Sequence, residues 1–244
     1  MHQRIRFLAK TAAKRLPKSS ASFGEAKLRS NKPMDYLRCV EFPLAYQQLS
    51  LKDGMTILDL ASPQWFSLFL AHEYPKIEFI YVNILQNELD QIREAAQCLG
   101  IHNICYQIED GRRLSFSSGQ FDKVVSLSTI EHIAPDVGGD VAVMKELNRV
   151  LAPKGSFTFS VPLKTQRRLV YDDKHPVWER QVQQKNFYMR DYDMAQVQEL
   201  LHQTGFSLTG SVPMYERIGL FSMEYWENEG RVKIKTAREY LYLF

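Results

Sequence analysis

Short apolar strands alternate with helical segments through the middle of the chain, and this alternation constrains the fold more than any other feature. Nearly continuous apolar strands separated by helices are typical of a parallel sheet that is covered on both faces. In such sheets ligands bind beyond the carboxyl ends of the strands. The predicted strands are 56–60, 76–82, 103–108, 123–127 and 156–161, and the predicted helices are 64–72, 88–99, 141–151 and 194–203.

Composition indicates an ordinary globular protein with one main domain. Hydrophobic residues make up 45% of the 244 residues and charged residues 24%. The longest apolar runs are far shorter than the roughly 20 residues that span a bilayer, and no signal peptide is expected. Three scattered cysteines without metal-ligand spacing predict a reduced, cytoplasmic protein with no metal site.

Residues 1–32 are predicted to form a basic N-terminal arm and linker ahead of a main domain at 33–244. The arm contains nine Lys or Arg residues and one acid, which leaves 22 basic and 27 acidic residues, a net charge of −5, in the main domain. Apolar residues between Ile5 and Leu16 share one helical face, Pro17 ends the pattern, and 18–24 is Ser-rich. The helix could cap the main domain. Residues 1–18 could instead make a peripheral membrane contact; the acidic remainder argues against a nucleic-acid partner.

A run of motifs in the second half of the alternating region carries a family resemblance. Asp110-Gly111-Arg112 forms an acidic turn, a buried strand ends near Glu131-His132, and a helix leads to Pro153-Lys154-Gly155 and another strand. This order resembles the class I S-adenosylmethionine (SAM)-dependent methyltransferases, in the branch called type 11. The resemblance implies an α/β fold: a Rossmann-like, doubly wound, mostly parallel seven-stranded sheet with a C-terminal antiparallel hairpin. The hairpin is expected where Gly205-Phe206 starts a strand, with residues 220–225 as its partner.

The resemblance also implies a cofactor-binding turn after the first strand. In the family an acid leads into a Gly-x-Gly-x-Gly turn, and here Asp59 is present. Ala61, Pro63 and Trp65 occupy the three glycine positions, although glycine there supplies positive φ and close backbone approach. Either the turn takes another shape or Trp65 partly closes the pocket. Asp59, Ala61 and Ser62 are the cofactor-binding candidates here.

The family resemblance assigns further cofactor roles to residues that follow the next three strands. Asn83 occupies the position where an acid in the family usually binds the ribose hydroxyls, and Ile84 follows it. Glu88 on the next helix could substitute for that acid. Asp110 is expected against the adenine amino group. The complete set of these further candidates is Asn83, Ile84, Asp110, Gly111, Ser126, Leu127 and Ser128.

His132 is the catalytic candidate, because the Glu131-His132 pair should face the place of methyl transfer and imidazole can act as a general base. The pair could instead only order its loop, since a positioned acceptor can attack a sulfonium without a base. Tyr36 and Arg38 could hold the cofactor carboxylate or simply pack against the sheet edge.

The function predicted is a SAM-dependent methyltransferase that acts on a small-molecule or lipid-linked acceptor. Residues 164–192, rich in basic and aromatic side chains, are expected to form an acceptor-side lid or a surface insertion. The alternative is a non-catalytic binding or scaffold protein on the same fold that has lost cofactor binding. The direction of Trp65, into the crevice or into the helix–sheet interface, discriminates between the two. Neither the acceptor nor the oligomeric state can be derived from the sequence.

Overall fold

Five parallel strands form the body of the sheet in the computed structural model, which describes residues 1–31, 36–135, 137–171, 187–212, 214–215 and 241–243. Their spatial order is β3-β2-β1-β4-β5, so the chain winds outward in both directions from β1. The switch in strand order therefore falls between β1 and β4, where a ligand crevice is expected. The strands are β1 (Thr56–Leu60), β2 (Glu78–Asn83), β3 (Ile104–Ile108), β4 (Phe121–Leu127) and β5 (Leu151–Leu163).

Helices cover both faces of the sheet and bury a separate apolar cluster on each. One cluster joins the sheet to the five N-terminal helices, and the other joins it to the last two helices. Alternate residues of one strand supply opposite faces, as Ile57 and Leu58 of β1 show. The helices are α1 (His2–Arg15), α2 (Ala21–Asn31), α3 (Tyr36–Leu49), α4 (Gln64–Glu73), α5 (Gln86–Leu99), α6 (Gly139–Val150) and α7 (Met194–Gln203).

Two antiparallel strand pairs complete the described structure. β6 (Arg168–Tyr171) pairs with β7 (Phe187–Asp191) in a small separate sheet. At the edge of the main sheet, β9 (Leu241–Leu243) pairs with β5 and with β8 (Met214–Tyr215). The mostly parallel α/β sheet with a C-terminal antiparallel pair is therefore confirmed, but the body of the sheet has five strands rather than seven, because the other two are segments of two and three residues.

Two details of the sequence prediction are wrong. Residues 205–212 form no strand, and the antiparallel pair uses Met214–Tyr215 and Leu241–Leu243 instead; residues 220–225 lie outside the described residues. Within 18–24 a helix begins at Ala21, because Ser20 and Ser22 bind the Glu94 carboxylate of α5 and Ala26 is buried against the core. Tertiary packing thus overrides the low helix propensity of this Ser-rich stretch.

The described part of the chain contains no helix that combines the length and the apolarity needed to cross a bilayer.

Candidate active site

Asp59, at the end of β1, organises the turn that follows it. One carboxylate oxygen accepts the backbone N–H of Ser62 at 3.0 Å and the other accepts the hydroxyl of Ser67 at 2.5 Å. The side chain is 1% exposed, and this burial raises its pKa to about 6 although both hydrogen bonds act in the opposite direction. Asp59 therefore fixes the shape of the turn from inside.

The turn after β1 adopts its backbone shape without glycine. Ala61 has a φ of +50°, in the left-handed region, and its N–H donates to the carbonyl of Val82 at 2.9 Å. Pro63 directly precedes the first residue of α4. Trp65 lies in the core between the sheet and the N-terminal helices, 4% exposed, so it does not fill the crevice at the strand ends.

Side-chain hydrogen bonds connect this turn to the end of β4 across the switch point. The Ser62 hydroxyl oxygen accepts the N–H of Leu127 at 3.1 Å. The Ser126 hydroxyl donates to the carbonyl of Leu60 at 3.0 Å, and the Thr129 hydroxyl donates to the carbonyl of Ala61 at 2.9 Å. The floor of the crevice is therefore held by hydroxyls from both strands, and Thr129 joins the residues that sequence reasoning selected.

Asn83 and Glu88 form a hydrogen-bonded unit where β2 ends. The Asn83 amide nitrogen donates to Glu88 at 3.2 Å, while its oxygen accepts the N–H of Leu85 at 3.0 Å. Burial raises the pKa of Glu88. The neighbouring Ile84 side chain is 40% exposed. The end of β2 thus presents a carboxyl group together with an apolar surface.

Asp110 after β3 is bound by an arginine two residues away. Arg112 donates through Nε to Asp110 at 2.8 Å and forms a second contact through Nη2. Another nitrogen of Arg112 donates to the carbonyl of Ala134 at 2.7 Å. Gly111, between Asp110 and Arg112 in the sequence, is buried, and a Cβ at this position would lie 3.0 Å from Val143 and 3.2 Å from Leu60. The acidic turn is therefore closely packed, and its carboxylate is partly exposed at 37%.

Glu131 and His132 follow β4 in a short 3-10 turn. Glu131 is 2% exposed, and its Oε2 atom has no hydrogen-bond partner within the described residues. Burial raises the pKa of Glu131 to about 8, and the nearby Glu41 carboxylate adds to this shift. Burial lowers the pKa of His132 to about 4. Near pH 7 this places a protonated carboxyl group 3.9 Å from the Nε2 atom of a neutral imidazole.

Glu41 on α3 is a buried acid that sequence reasoning missed. Its carboxylate is fully buried, accepts the hydroxyls of Ser128 at 2.9 Å and Ser160 at 2.6 Å, and pairs with Arg38. Arg38 also donates to the Ser128 hydroxyl at 2.9 Å. These contacts join the ends of β4 and β5 to α3, and Arg38 contacts the end of β4 through Ser128. The sequence signal that could have found Glu41 is its position three residues, about one helical turn, after Arg38.

Arg190 on β7, noted from the sequence only as part of the 164–192 segment, is 3% exposed and clamps the loop that contains Glu131 and His132. It donates to the carbonyls of Glu131 at 3.3 Å and Ile133 at 2.7 Å, and also to that of Pro135. Of the 164–192 segment, the structure describes 164–171 and 187–192, and the second of these parts reaches this loop through Arg190; residues 172–186 lie outside the described residues. The side chain of Tyr36 lies outside them too.

Comparisons with known proteins relate the central segment of the chain to one family. Residues 57–155 match the sequence model of a family described as methyltransferase domain. This match covers less than half of the chain, and SAM-dependent methyltransferases are among the solved structures that share its fold. The match to a methyltransferase domain agrees with the enzyme class and the SAM cofactor expected from the sequence. Among curated proteins, none is significantly similar to the chain.

Several solved structures share this fold at low sequence identity. A SAM-dependent methyltransferase from Methanosarcina mazei superposes with a TM-score of 0.58 at 16% identity, over 82% of this chain and 94% of the other. Coclaurine N-methyltransferase with N-methylheliamine and SAH gives 0.55 at 12% identity, over 82% and 53%. The (4+2)-cyclase SpnF gives 0.57 at 18%, over 70% and 58%. The chain thus spans between half and three fifths of the length of the last two proteins.

Proposed function

We propose that the protein transfers a methyl group from SAM to a small-molecule or lipid-linked acceptor. The observation that carries this proposal is the placement of Trp65 in the helix–sheet interface. Trp65, which replaces the last of the family's three glycines, therefore does not fill the space at the carboxyl ends of β1 and β4. The backbone of the turn can contact a cofactor there. The left-handed φ of Ala61 supplies the conformation for which a glycine would normally be required.

The polar groups around this edge suit the parts of the cofactor, which supplies an electrophilic methyl group on a sulfonium when bound. The exposed side chain of Ile84 offers an apolar contact for adenine, and Asp110 an acceptor for its amino group. The Asn83–Glu88 unit offers a carboxyl group to the ribose hydroxyls, which restores the acid that Asn83 itself lacks. The backbone of the 61–62 turn, with Arg38 nearby, would hold the amino-acid end.

The acceptor would enter from the side of Glu131, His132 and β7. The backbone carbonyl of Tyr188 takes a hydrogen bond from His132, and the two rings lie 5.1 Å apart between centroids. A neutral imidazole and a protonated carboxyl group can orient a hydroxyl or amine without adding a net charge beside the sulfonium. We infer that His132 positions the acceptor and receives its proton when the acceptor must lose one. A small-molecule acceptor is favoured because the structurally similar coclaurine N-methyltransferase is named as bound to N-methylheliamine.

The test has two stages, both with the 244-residue chain. Calorimetric titration with SAM and S-adenosylhomocysteine should give micromolar affinity, and no binding at millimolar cofactor would overturn the proposal. Radiolabelled SAM should then transfer its methyl group to a component of pooled small-molecule or lipid extracts. His132→Asn should bind the cofactor as the wild-type protein does and should fail to label the extract, which separates the acceptor step from cofactor binding.

A further inference from the structure

We propose that the outward face of α1 docks on an anionic membrane surface, through a patch formed by Phe7, Lys10 and Lys14 that we call the α1 patch. This proposal is independent of the methyl-transfer reaction. It deepens the peripheral membrane contact considered from the sequence for residues 1–18, because it assigns that contact to one face of the helix.

The apolar side of α1 is already occupied by the domain itself. Ile5, Leu8, Ala9 and Ala12 are between 0% and 3% exposed and belong to the core cluster that contains α4 and α5. The helix is also held at its sides: Arg4 pairs with Glu73 at 2.5 Å, and Arg15 donates to the carbonyl of Cys98 at 3.2 Å. α1 is therefore a fixed part of the surface, and only its opposite side can meet a partner.

That opposite side combines one large apolar group with lysines. Phe7 is 67% exposed, and positions three and seven residues further along the helix lie on the same face, where Lys10 and Lys14 are also exposed. A single exposed aromatic residue is common on soluble proteins. Here it lies on the face that turns away from the core, and the two lysines further along that face present ammonium groups on long flexible stems. An aromatic ring next to lysines on one helical face suits the boundary between headgroups and acyl chains.

Charge distribution selects an anionic lipid surface as the partner. Residues 1–32 carry nine basic residues and one acid, whereas the rest of the chain carries a net charge of −5. A membrane presents its charge over a broad plane, so one flat helix face is enough to contact it. A nucleic-acid backbone would favour a basic surface that continues onto the remaining domain, and the acidic excess of residues 33–244 opposes this.

The test uses co-sedimentation of the 244-residue chain with vesicles of phosphatidylcholine alone or with 30% phosphatidylserine. We expect binding to the phosphatidylserine vesicles only, reduced at least tenfold in Lys10→Glu/Lys14→Glu and several-fold in Phe7→Ala. Lys145→Glu/Lys154→Glu makes the same charge change on and beside α6, on the other face of the sheet, and should bind as the wild-type protein does. Thermal denaturation should show that all variants are folded.

Three results would overturn the proposal. The first is equal binding to both vesicle types or to neither. The second is an equal loss of binding in the α1 and α6 variants, which would indicate a general charge effect. The third is tight, salt-sensitive binding of a fluorescent single-stranded RNA that Lys10→Glu/Lys14→Glu abolishes while vesicle binding is absent.

Discussion

The Nδ1 atom of His132 lies 2.7 Å from the backbone carbonyl oxygen of Tyr188, which lies 56 positions later in the chain. A carbonyl oxygen can only accept a hydrogen bond, so Nδ1 carries the proton and the lone pair of the neutral ring is on Nε2. Because Tyr188 belongs to β7, the small β6–β7 sheet determines which nitrogen of the imidazole can receive a proton.

We expect two-bond ¹H–¹⁵N correlation spectra to show His132 as the Nδ1–H tautomer, neutral until the pH falls towards about 4. Burial disfavours the imidazolium, and the spectrum of His132→Asn assigns the signal by its absence. Because the folded pKa is below the ordinary value of 6.5, this residue lowers the stability of the fold as the pH falls through that interval. Protonation near pH 6.5 or an Nε2–H tautomer would contradict the assignment.

Glu131→Gln should become progressively more stable than the wild-type protein as the pH rises. The folded pKa of Glu131 is about 8 against an ordinary value of 4.5, so the folded state retains a proton that the unfolded chain releases. The wild-type protein therefore loses up to about 1.4 kcal/mol of unfolding free energy per pH unit in that interval, and nothing further above it. Urea denaturation from pH 4.5 to pH 9 measures this difference. Glu78→Gln, at an exposed position, is the reference for loss of one negative charge.

Paired variants test the adenine role of Asp110. Asp110→Ala should weaken S-adenosylhomocysteine binding at least tenfold, about 1.4 kcal/mol. Arg112→Ala removes the partner that now binds the Asp110 carboxylate and should keep the affinity within about threefold, since the acid becomes more accessible. Calorimetric titration distinguishes the two variants. An equal loss in both would mean that the ion pair only orders the turn.

Ala61→Gly should stabilise the fold by about 0.5–1 kcal/mol, although glycine normally destabilises folded chains. The reason is the φ of +50° at this position, which strains an alanine and costs glycine nothing. Ala142→Gly in α6 removes the same methyl group from a regular helix and should cost about 1 kcal/mol. Urea denaturation measures the change in unfolding free energy for both variants. A gain for Ala61→Gly with a loss for Ala142→Gly supports the turn geometry, and a loss of stability in both variants argues against it.

Leu8→Ala and Phe7→Ala should differ sharply although the residues are adjacent on α1. Leu8 is 3% exposed within the core, so its truncation should cost about 3 kcal/mol. Phe7 is 67% exposed and should change stability by less than about 0.5 kcal/mol. Thermal or urea denaturation without lipid provides the comparison. Similar small effects would mean that α1 is not packed against the domain in solution.

Features encoded locally could be predicted from the sequence. Apolar runs located the five parallel strands, and helical spacing with Gly100 as a stop located α5, which ends in a left-handed residue there. The ends of the strands could be predicted in the same way. Asp59, Asn83 and Asp110 lie at or next to the ends of parallel neighbouring strands, and they are therefore found at the same edge of the sheet. The site residues chosen from these positions remain predictions until binding is measured.

Long-range partners could not be predicted. Glu41 meets Ser160, and Arg190 meets Glu131, across 119 and 59 positions of the chain. No periodicity or motif in either segment encodes these contacts, because they depend on how α3 and β7 pack against the strand ends. The same applies to the Asp110–Arg112 pair, whose closeness in sequence was visible but whose geometry depends on the Ala134 carbonyl.

The left-handed backbone of Ala61 has a consequence for how such chains are recognised. A pattern search that requires glycine at 61, 63 and 65 tests residue identity, whereas the left-handed conformation that favours glycine is adopted here by alanine. Position 63 is a proline that precedes α4, and position 65 is a tryptophan in the core. Other chains with this architecture and no glycine signature are therefore better identified by strand order and by the residue type after each strand.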